Sequence, residues 1–427
     1  MKVLQINAVY GKSSTGTIMK HIQETSRAHG IEAYAAFPKG MGKADEWAYE
    51  MGSVLDHKLH AALSRIAGKQ SYYSHCATKR LLRYMDKLQP DIVHLHNLHS
   101  NYIHLNMLLE YLAKHDIATI VTMHDCWYFT GGCFHYANVG CDRWQHGCGN
   151  CPKQKDDTPA LLYDASASIL KDREKYLNAI PRLVMVGCSE WVSNECRKSV
   201  ISQKDIRTIH NGFNLDIFKP SPSDWRKSLG IEDKFVILAP AGKWLSAVNK
   251  ATYDFFVKNM TDDMVLVLFG FRDTEGDCPS NVKKIGFIRN PYEMAQVYSM
   301  ADVMVNCSRE DTLSSLNLEA QACGTPVVTY EATGSKETVD GICGFAVETG
   351  NLKDLFEATM KVRAIGKTAL TSKCVERMQK EFELQTNFEK YIALYKELCD
   401  HPSPHEILRD CMLCPWSIGG GDLSRTI

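Results

Sequence analysis

Residues 302–330 read DVMVNCSREDTLSSLNLEAQACGTPVVTY, and this sequence predicts how the second half of the chain folds. Asp302–Cys307 and Pro326–Tyr330 are short runs of the kind that form buried strands. Leu316–Ala322, between them, predicts a helix that the Gly-Thr-Pro sequence ends. Two buried strands joined by a helix indicate a parallel β-α-β unit.

The same alternation of strands and helices extends over both halves of the chain and pauses near residue 212. We therefore expect an α/β protein with a first domain at 1–212, a second domain at 213–385 and a final segment at 386–427 that ends in a loosely held tail. Two open parallel sheets of similar size leave a cleft between them, and ligands of such sheets bind beyond the carboxyl ends of the strands.

Composition excludes several classes of protein. Hydrophobic residues make up 44% and charged residues 23% of the 427 residues, as in ordinary globular domains. The net charge of −1 gives no general attraction to nucleic acid. Residues 1–7 do not show the basic and then apolar pattern of a signal peptide, and no stretch is long and apolar enough to cross a membrane, so we expect a cytoplasmic location without a signal peptide. The 16 cysteines are then expected to be reduced by default.

The start of the predicted helix is the first candidate binding site. Helix N-termini present unpaired backbone N–H groups and the positive end of the helix dipole. These groups would lie at Thr312, Leu313, Ser314 and Ser315, where they could hold a diphosphate or sugar oxygens. Glu319 follows about one turn later, and its carboxylate can accept hydrogen bonds from the hydroxyls of a ribose.

Residues 311–328 closely resemble a motif of the family 4 glycosyltransferases. In that family, two glutamates flank seven residues and an Ala-x-x-Cys/Ala-Gly-x-Pro-Val run follows. Here Asp311 takes the first position and Glu319 the second, while Glu310 has the family's residue type one position early. The resemblance implies the GT-B fold, in which two Rossmann-like domains face a central cleft and a last helix crosses back to the first domain. It also implies that Glu319 binds the nucleotide ribose and that the first carboxylate contacts the donor sugar.

Four further residues are candidates by the same resemblance, which covers about residues 1–400. Gly16 lies in the loop after the first strand, where it would let the backbone approach the donor phosphate. His124, in the sequence Thr-Met-His-Asp, would reach the donor sugar near the reacting carbon. Lys243 and Lys250 stand near the positions of two cations that clamp the diphosphate. A lone histidine is otherwise usually structural and a lone loop lysine is usually solvated.

A cysteine-rich segment at 126–152 resembles an insertion of glycosyltransferases that make polysaccharides of the colanic-acid type. Its thiols could bind one tetrahedral zinc ion, because the last two have Cys-x2-Cys spacing, but the earlier spacings match no standard zinc module. Unliganded packed thiols and disulfides remain as alternatives. The four candidate ligands are Cys133, Cys141, Cys148 and Cys151.

Residues 57–90 are locally basic. Seven lysines and arginines oppose only Asp86, which gives 7 − 1 = +6 with the histidines neutral. Apolar residues interleave with these charges, so the segment predicts either a surface for anionic lipid or an ordinary solvated helix face.

The sequence therefore predicts a retaining glycosyltransferase that uses a UDP- or GDP-linked sugar and no catalytic metal. Its acceptor would be a saccharide, free or linked to polyprenyl diphosphate, in cell-surface polysaccharide biosynthesis at the inner face of the plasma membrane. The alternatives are a nucleotide-sugar epimerase of the same fold and an inactive relative that only binds nucleotide sugar. A nucleic-acid-binding role for the cysteine-rich segment is disfavoured by the near-neutral charge.

Overall fold

The computed structural model describes residues 1–156, 159–271 and 278–400, and it confirms two α/β domains with parallel sheets. The strands of the first sheet are β1 Lys2–Ile6, β2 Glu32–Pro38, β3 Ala48–Met51, β4 Ile92–Leu95, β5 Ala118–Met123, β6 Leu183–Gly187 and β7 Asp205–Thr208. They lie side by side in the order β3-β2-β1-β4-β5-β6-β7. All neighbouring pairs are parallel, including β2 and β3, which are joined by the helix-free residues 39–47.

Alternate strand residues of the first domain pack into two separate apolar cores, one on each face of the sheet. Val3 and Ile120 belong to one core, and their neighbours Leu4 and Val121 belong to the other. The helices of this domain are α1 Ser13–Ala28, α2 Val54–Ala67, α3 His75–Leu88, α4 Leu105–Lys114, α5 Ser166–Asn178 and α6 Glu190–Cys196. Between β5 and α5, the cysteine-rich segment contains only three single-turn 3₁₀ helices, at Trp127–Phe129, Ala137–Val139 and Arg143–Gln145.

The second domain repeats this plan. Its strands are β8 Phe235–Pro240, β9 Met264–Phe271, β10 Val282–Gly286, β11 Val303–Asn306, β12 Val327–Tyr330 and β13 Gly344–Val347, in the order β10-β9-β8-β11-β12-β13. Its helices are α7 Trp225–Leu229, α8 Ala241–Trp244, α9 Lys250–Asn259, α10 Pro291–Met300, α11 Ser315–Ala322, α12 Leu352–Ile365 and α13 Lys367–Glu381. Two more 3₁₀ helices lie at Ala247–Asn249 and Thr333–Thr338. The unit β11–α11–β12 is the β-α-β unit predicted from residues 302–330.

The chain passes between the domains twice, and the two passages run side by side. Phe213 N–H donates to Phe382 O at 2.8 Å, and Leu384 N–H donates to Phe213 O at 3.1 Å. Gly212 is needed here, because a Cβ at this position would lie 2.5 Å from the Cα of Leu384. The last helix, α14 Leu384–Asp400, then packs on the first domain.

Helix α14 completes one core of the first domain. Phe388, Tyr391, Ile392 and Tyr395 are buried against the sheet face that carries Val3 and Ile120. The predicted loosely held tail, at about 401–427, lies outside the described residues. Among the helices that the structure describes, none is long and apolar enough to cross a membrane.

Candidate functional site

A cavity of about 640 Å³ lies between the two domains. Its walls come from loops at the carboxyl ends of β1, β5, β10 and β11 and from the passage near residue 212, so both sheets contribute. This is the position that the topology of two open parallel sheets predicts for a ligand. Six of the sequence-predicted residues line it, namely His124, Asp311, Thr312, Leu313, Ser315 and Glu319.

Glu319 lies on the cavity wall within helix α11. Its carboxylate accepts a hydrogen bond of 2.9 Å from the hydroxyl of Tyr298. Burial raises the pKa of Glu319 to about 7, although the Tyr298 hydrogen bond opposes that rise. The carboxylate is therefore poorly solvated. Hydroxyl groups of a ligand could donate the hydrogen bonds that water would donate to an exposed carboxylate.

Asp311 lies in the loop that precedes α11, on the N-terminal side of Glu319. Burial raises its pKa, while the charge of Lys243 is the largest influence that lowers it. The backbone of Asp311 is held by Thr333, whose hydroxyl donates to the Asp311 carbonyl at 2.6 Å. Gly334 follows, and a Cβ there would lie 1.7 Å from the carbonyl oxygen of Thr312. The loop that carries Asp311 is thus fixed by close backbone packing.

Thr312 and Ser314 have different surroundings. Thr312 lines the cavity, and its buried hydroxyl has no hydrogen-bond partner among the described residues. Such an atom costs free energy unless a ligand or water satisfies it. Ser314 is fully buried behind the wall, where its hydroxyl accepts a hydrogen bond from Asn306 at 3.1 Å. Its side chain does not line the cavity, so it supports the loop.

Gly16 does not line the cavity itself, but its neighbours Ser14, Thr15 and Thr17 do. A Cβ on Gly16 would lie 3.0 Å from the side chain of Val9, so glycine permits the first turn of α1 to pack against the preceding loop. The N-terminus of α1 therefore faces the same cavity as the N-terminus of α11. Two helix N-termini at one cavity favour an anionic ligand.

Neither of the two predicted lysines lines the cavity. Lys243 is exposed in the short helix α8, close enough to act on the pKa of Asp311. Lys250 forms an ion pair with Asp254 on the exposed surface of α9. In this conformation Lys250 does not point at the cavity, because its own helix supplies a partner one turn away.

Glu310 turns away from the cavity and contacts the cysteine-rich segment. Its carboxylate accepts a hydrogen bond of 2.8 Å from Asn138 N–H and lies 3.6 Å from Lys153 Nζ. The structure thus separates the two neighbouring acids. Asp311 lines the cavity, whereas Glu310 joins the second domain to the cysteine-rich segment of the first.

A second contact across the cleft involves Glu337. Its carboxylate accepts hydrogen bonds from the N–H groups of Glu190 and Trp191, at 2.8 and 2.5 Å, at the start of α6. The ring of His210 lies 3.6 Å away. The two domains are therefore joined by polar contacts at two separate places, through Glu310 and through Glu337.

His124 lies at the carboxyl end of β5, and burial lowers its pKa to about 4. Its Nε2 lies 3.2 Å from Nδ1 of the fully buried His96. His96 in turn contacts Gln5, and His94 contacts Tyr395 and Thr122. His94 and His96 do not line the cavity, so only His124 of this histidine group faces a ligand.

Sequence reasoning missed several residues that line the cavity. His135 comes from the cysteine-rich segment, and its buried Nδ1 has no hydrogen-bond partner among the described residues. Arg289 comes from the loop between β10 and α10 and brings a cation to the cavity. The place of Arg289 just after β10 was a possible signal, since ligands of parallel sheets bind at the carboxyl ends of strands, but no local pattern marked His135.

The four candidate zinc ligands surround one small cavity of about 20 Å³, together with Gly131 and Trp144. Burial raises the pKa of the Cys148 thiol to about 11. No disulfide joins these cysteines. Within the described residues, no three His, Cys, Asp or Glu side chains are placed so that they could hold one metal ion. Zinc binding therefore stays a prediction, and it would require the thiols to converge.

Comparison with known proteins gives two matches to family models. Residues 21–217 match the model described as Glycosyltransferase Family 4, and residues 251–364 match the model described as Glycosyl transferases group 1. Together they span most of both domains.

Two relatives illustrate the range of similarity. An Escherichia coli (strain K12) protein named as the colanic acid biosynthesis glycosyl transferase WcaC is 21% identical over 423 residues, which cover 93% of this chain and 100% of that protein. The N-acetyl-alpha-D-glucosaminyl L-malate synthase of Bacillus anthracis is 24% identical over 237 residues, which cover 53% of this chain and 60% of that protein.

Solved structures share the fold. Sucrose-phosphate synthase from Thermosynechococcus elongatus has a TM-score of 0.66 at 16% identity, with 93% of this chain and 98% of that chain covered. Anabaena Alr3699/HepE in complex with UDP-glucose has a TM-score of 0.60 at 16% identity, with 93% and 100% covered. These likenesses show the two-domain GT-B architecture that the sequence predicts.

Proposed function

Because the chain belongs to the family 4 glycosyltransferases, we propose that it transfers a sugar, with retention at the anomeric carbon, from a UDP- or GDP-linked donor to a saccharide hydroxyl. The bond between the anomeric carbon and the diphosphate breaks, and a bond from that carbon to the acceptor oxygen forms. The acceptor's proton passes to the departing diphosphate, which leaves as the nucleoside diphosphate.

The placement of Glu319 carries this proposal. The carboxylate faces a cavity between two parallel sheets, it is poorly solvated, and its one hydrogen bond in the described structure comes from Tyr298. A vicinal diol such as that of ribose donates two hydrogen bonds to one carboxylate, which suits this site. The unpartnered hydroxyl of Thr312 lies on the same wall.

The charge distribution supports a diphosphate at the same cavity. The N-termini of α1 and α11 face it, Arg289 lines it, and Lys243 lies close to Asp311. Helix dipoles and cations stabilise the negative charge that develops on a departing diphosphate. In this scheme the protein supplies electrostatic stabilisation, and the reaction is metal-independent.

A thermal-shift experiment tests the donor site. The wild type, Glu319→Ala and the control Glu357→Ala are heated with UDP, GDP, ADP and their sugars; Glu357 is an exposed carboxylate on α12. A ligand at 100 times its dissociation constant stabilises the native state by about 2.7 kcal/mol. We expect one nucleotide to stabilise the wild type and the control but not Glu319→Ala. Equal stabilisation of all three proteins would contradict the assignment.

Product analysis then separates the reaction classes. The protein is incubated with the stabilising nucleotide sugar, with and without a saccharide acceptor. Glycosylated acceptor and free nucleoside diphosphate support the proposal. An isomerised sugar without acceptor would indicate an epimerase, and binding without turnover would indicate an inactive relative.

We further propose that the acceptor is linked to a polyprenyl lipid and belongs to a cell-surface polysaccharide. The relative named for colanic acid biosynthesis, matched over its whole length, supports the pathway. The lipid link is supported by an apolar surface on the first domain, defined as the exposed face of α2 and the adjoining residues 161–163. Its large exposed side chains are Val54, Leu55, Leu59, Leu63, Ile66, Leu161, Leu162 and Tyr163.

This apolar surface has the character of a membrane-binding face. Leu161 N–H donates to Arg65 O at 2.8 Å, which joins the two segments. Lys58 and Arg65 are exposed on α2 beside the apolar residues. An amphipathic helix of this kind lies in the headgroup region, with leucines in the acyl layer and cations at anionic lipids. The exposed apolar residues Leu59, Leu63 and Ile66 of α2 belong to the basic segment 57–90, which supports this proposal.

Vesicle co-sedimentation tests the membrane proposal. Wild type, the double variant Leu55→Asp/Leu59→Asp and the control Ile342→Asp, which changes an exposed isoleucine of the second domain, are mixed with vesicles of phosphatidylethanolamine and phosphatidylglycerol. We expect only the double variant to stay in the supernatant. Equal sedimentation of the double variant and the wild type would refute this surface as the contact.

A further inference from the structure

A chain of three buried polar side chains leads from the interior of the first domain to the cavity. Gln5 on β1 lies behind the wall, and its Oε1 is 2.9 Å from His96 Nε2. His96 Nδ1 is 3.2 Å from His124 Nε2. His124 lines the cavity, whereas Gln5 and His96 do not. Each of these two hydrogen bonds has one donor and one acceptor. The donor between Gln5 and His96 therefore determines the donor between His96 and His124.

The Gln5 amide has only one orientation that satisfies its neighbours. Its Nε2 donates to the carbonyl oxygen of Met19 at 3.2 Å. With the amide reversed, its oxygen would face the Met19 carbonyl oxygen, and two acceptors cannot share a hydrogen bond. Gln5 Oε1 is therefore the acceptor, and His96 must donate from Nε2.

His96 is neutral, because complete burial lowers its pKa well below the ordinary value. A neutral imidazole carries one N–H, and here that N–H is on Nε2. Nδ1 of His96 is then an acceptor, so the contact at 3.2 Å requires His124 to donate from its own Nε2. Burial lowers the pKa of His124 to about 4, so its ring is neutral at pH 7 as well.

We propose that Gln5 and His96 are positioning residues that hold His124 as its Nε2–H tautomer, so that the unprotonated Nδ1 accepts a hydrogen bond from a hydroxyl of the donor sugar. This inference rests on the proposed function for its ligand. Nδ1 has no hydrogen-bond partner among the described residues, and its ring forms part of the cavity wall. A nitrogen lone pair repels phosphate and carbonyl oxygens, so this position selects the sugar of the donor over its diphosphate.

The tautomer can be measured without any substrate. Long-range proton–nitrogen NMR spectra of the full-length protein at pH 7 distinguish protonated from unprotonated ring nitrogens, and the His124 signals are assigned by their loss in His124→Asn. We expect Nε2 of His124 to carry the proton and Nδ1 to be bare. A proton on Nδ1, or an even mixture of both tautomers, overturns the proposal.

The substitution Gln5→Leu tests the chain of hydrogen bonds. Without an acceptor at Nε2, His96 gains by placing its proton on Nδ1 and donating to His124, which moves the His124 proton to Nδ1. The control is Gln23→Leu, since Gln23 is equally buried in α1 and loses hydrogen bonds to Tyr10 and Ala33, but does not touch a histidine of the group. We expect the inverted tautomer in Gln5→Leu alone.

Binding measurements connect the tautomer to the ligand. In Gln5→Leu, the affinity for the nucleotide sugar should fall about tenfold, while the affinity for the nucleoside diphosphate alone should not change. Equal losses for both ligands, or the same loss in Gln23→Leu, overturn the role in sugar binding. If the wild type binds no nucleotide sugar, the proposed function fails, whereas the tautomer of the substrate-free protein still decides the positioning role of Gln5 and His96.

Discussion

Replacing Glu319 with glutamine should stabilise the unliganded protein and weaken its affinity for the donor. Burial raises the pKa of Glu319 from 4.5 to about 7, so the folded state binds its proton more tightly than the unfolded state does. For an acid shifted in this direction, ionisation costs folding free energy that grows as the pH rises from about 4.5 to about 7. Glutamine does not ionise, and its oxygen can still accept the hydrogen bond from Tyr298.

The size of the effect follows from the pKa. The pKa of Glu319 differs by about 2.5 between the unfolded and the folded protein, and each pKa unit corresponds to 1.36 kcal/mol. At pH 8.5, Glu319→Gln should therefore raise the free energy of unfolding by at most about 3 kcal/mol, because water reaches the cavity and reduces the effect. At pH 5 the Glu319 carboxyl group of the folded protein is still protonated, so the stability difference between the variant and the wild type is less than about 1 kcal/mol. Loss of hydrogen bonds between ribose hydroxyls and a charged acceptor should weaken nucleotide binding by about 10- to 100-fold.

Thermal unfolding of wild type and Glu319→Gln at pH 5 and pH 8.5, without ligand and with nucleotide, measures both effects. Glu357→Gln on the exposed face of α12 controls for the loss of one negative charge. The reasoning is refuted if Glu319→Gln is the less stable protein at pH 8.5, or if its nucleotide affinity equals that of the wild type.

Three further outcomes are expected. Gly334→Ala should abolish nucleotide binding, because its Cβ would overlap the Thr312 carbonyl, whereas Gly242→Ala has open space and should bind normally; calorimetry compares them. Arg289→Ala should weaken diphosphate binding about tenfold and reduce its salt dependence, while Lys250→Ala should change affinity less than twofold, because Lys250 is paired with Asp254; titration at two salt concentrations checks this. Protein purified without chelator should contain about one zinc ion per chain by elemental analysis, and less than half of that amount would contradict the zinc prediction; the variants to compare are Cys148→Ser and Cys151→Ser.

The two parallel sheets could be predicted from the sequence, because the spacing of apolar residues and the composition of each segment indicate which segments are buried. Val303–Asn306 and Val327–Tyr330 are buried along their whole length, as continuous apolar runs require. The position of Glu319 on the cavity wall was also predictable, because a side chain at a fixed number of residues from the start of a helix points in a fixed direction.

The positions that sequence reasoning did not resolve depend on side-chain direction in loops and on distant partners. Glu310 and Asp311 are adjacent, yet one contacts Asn138 and the other lines the cavity. Their directions are set by Gly334 and Thr333 packing behind the loop, which no local pattern encodes. Lys250 carries the charge expected of a phosphate-binding residue. Its ion pair with Asp254, however, holds the ammonium group on the exposed surface of α9.

The position of α14 has a consequence for the biosynthesis of the chain. The buried His94 hydrogen-bonds Tyr395, and one face of the first sheet is covered by α14. Until the ribosome has made residue 400, the part of that face that α14 covers beside α1 is exposed, and His94 lacks its partner Tyr395 at Nδ1. At about 5–20 residues per second, the delay after residue 212 is roughly ten to forty seconds. During that interval the nascent first domain exposes part of an apolar sheet face, so a chaperone that shields such surfaces should raise the yield of folded protein.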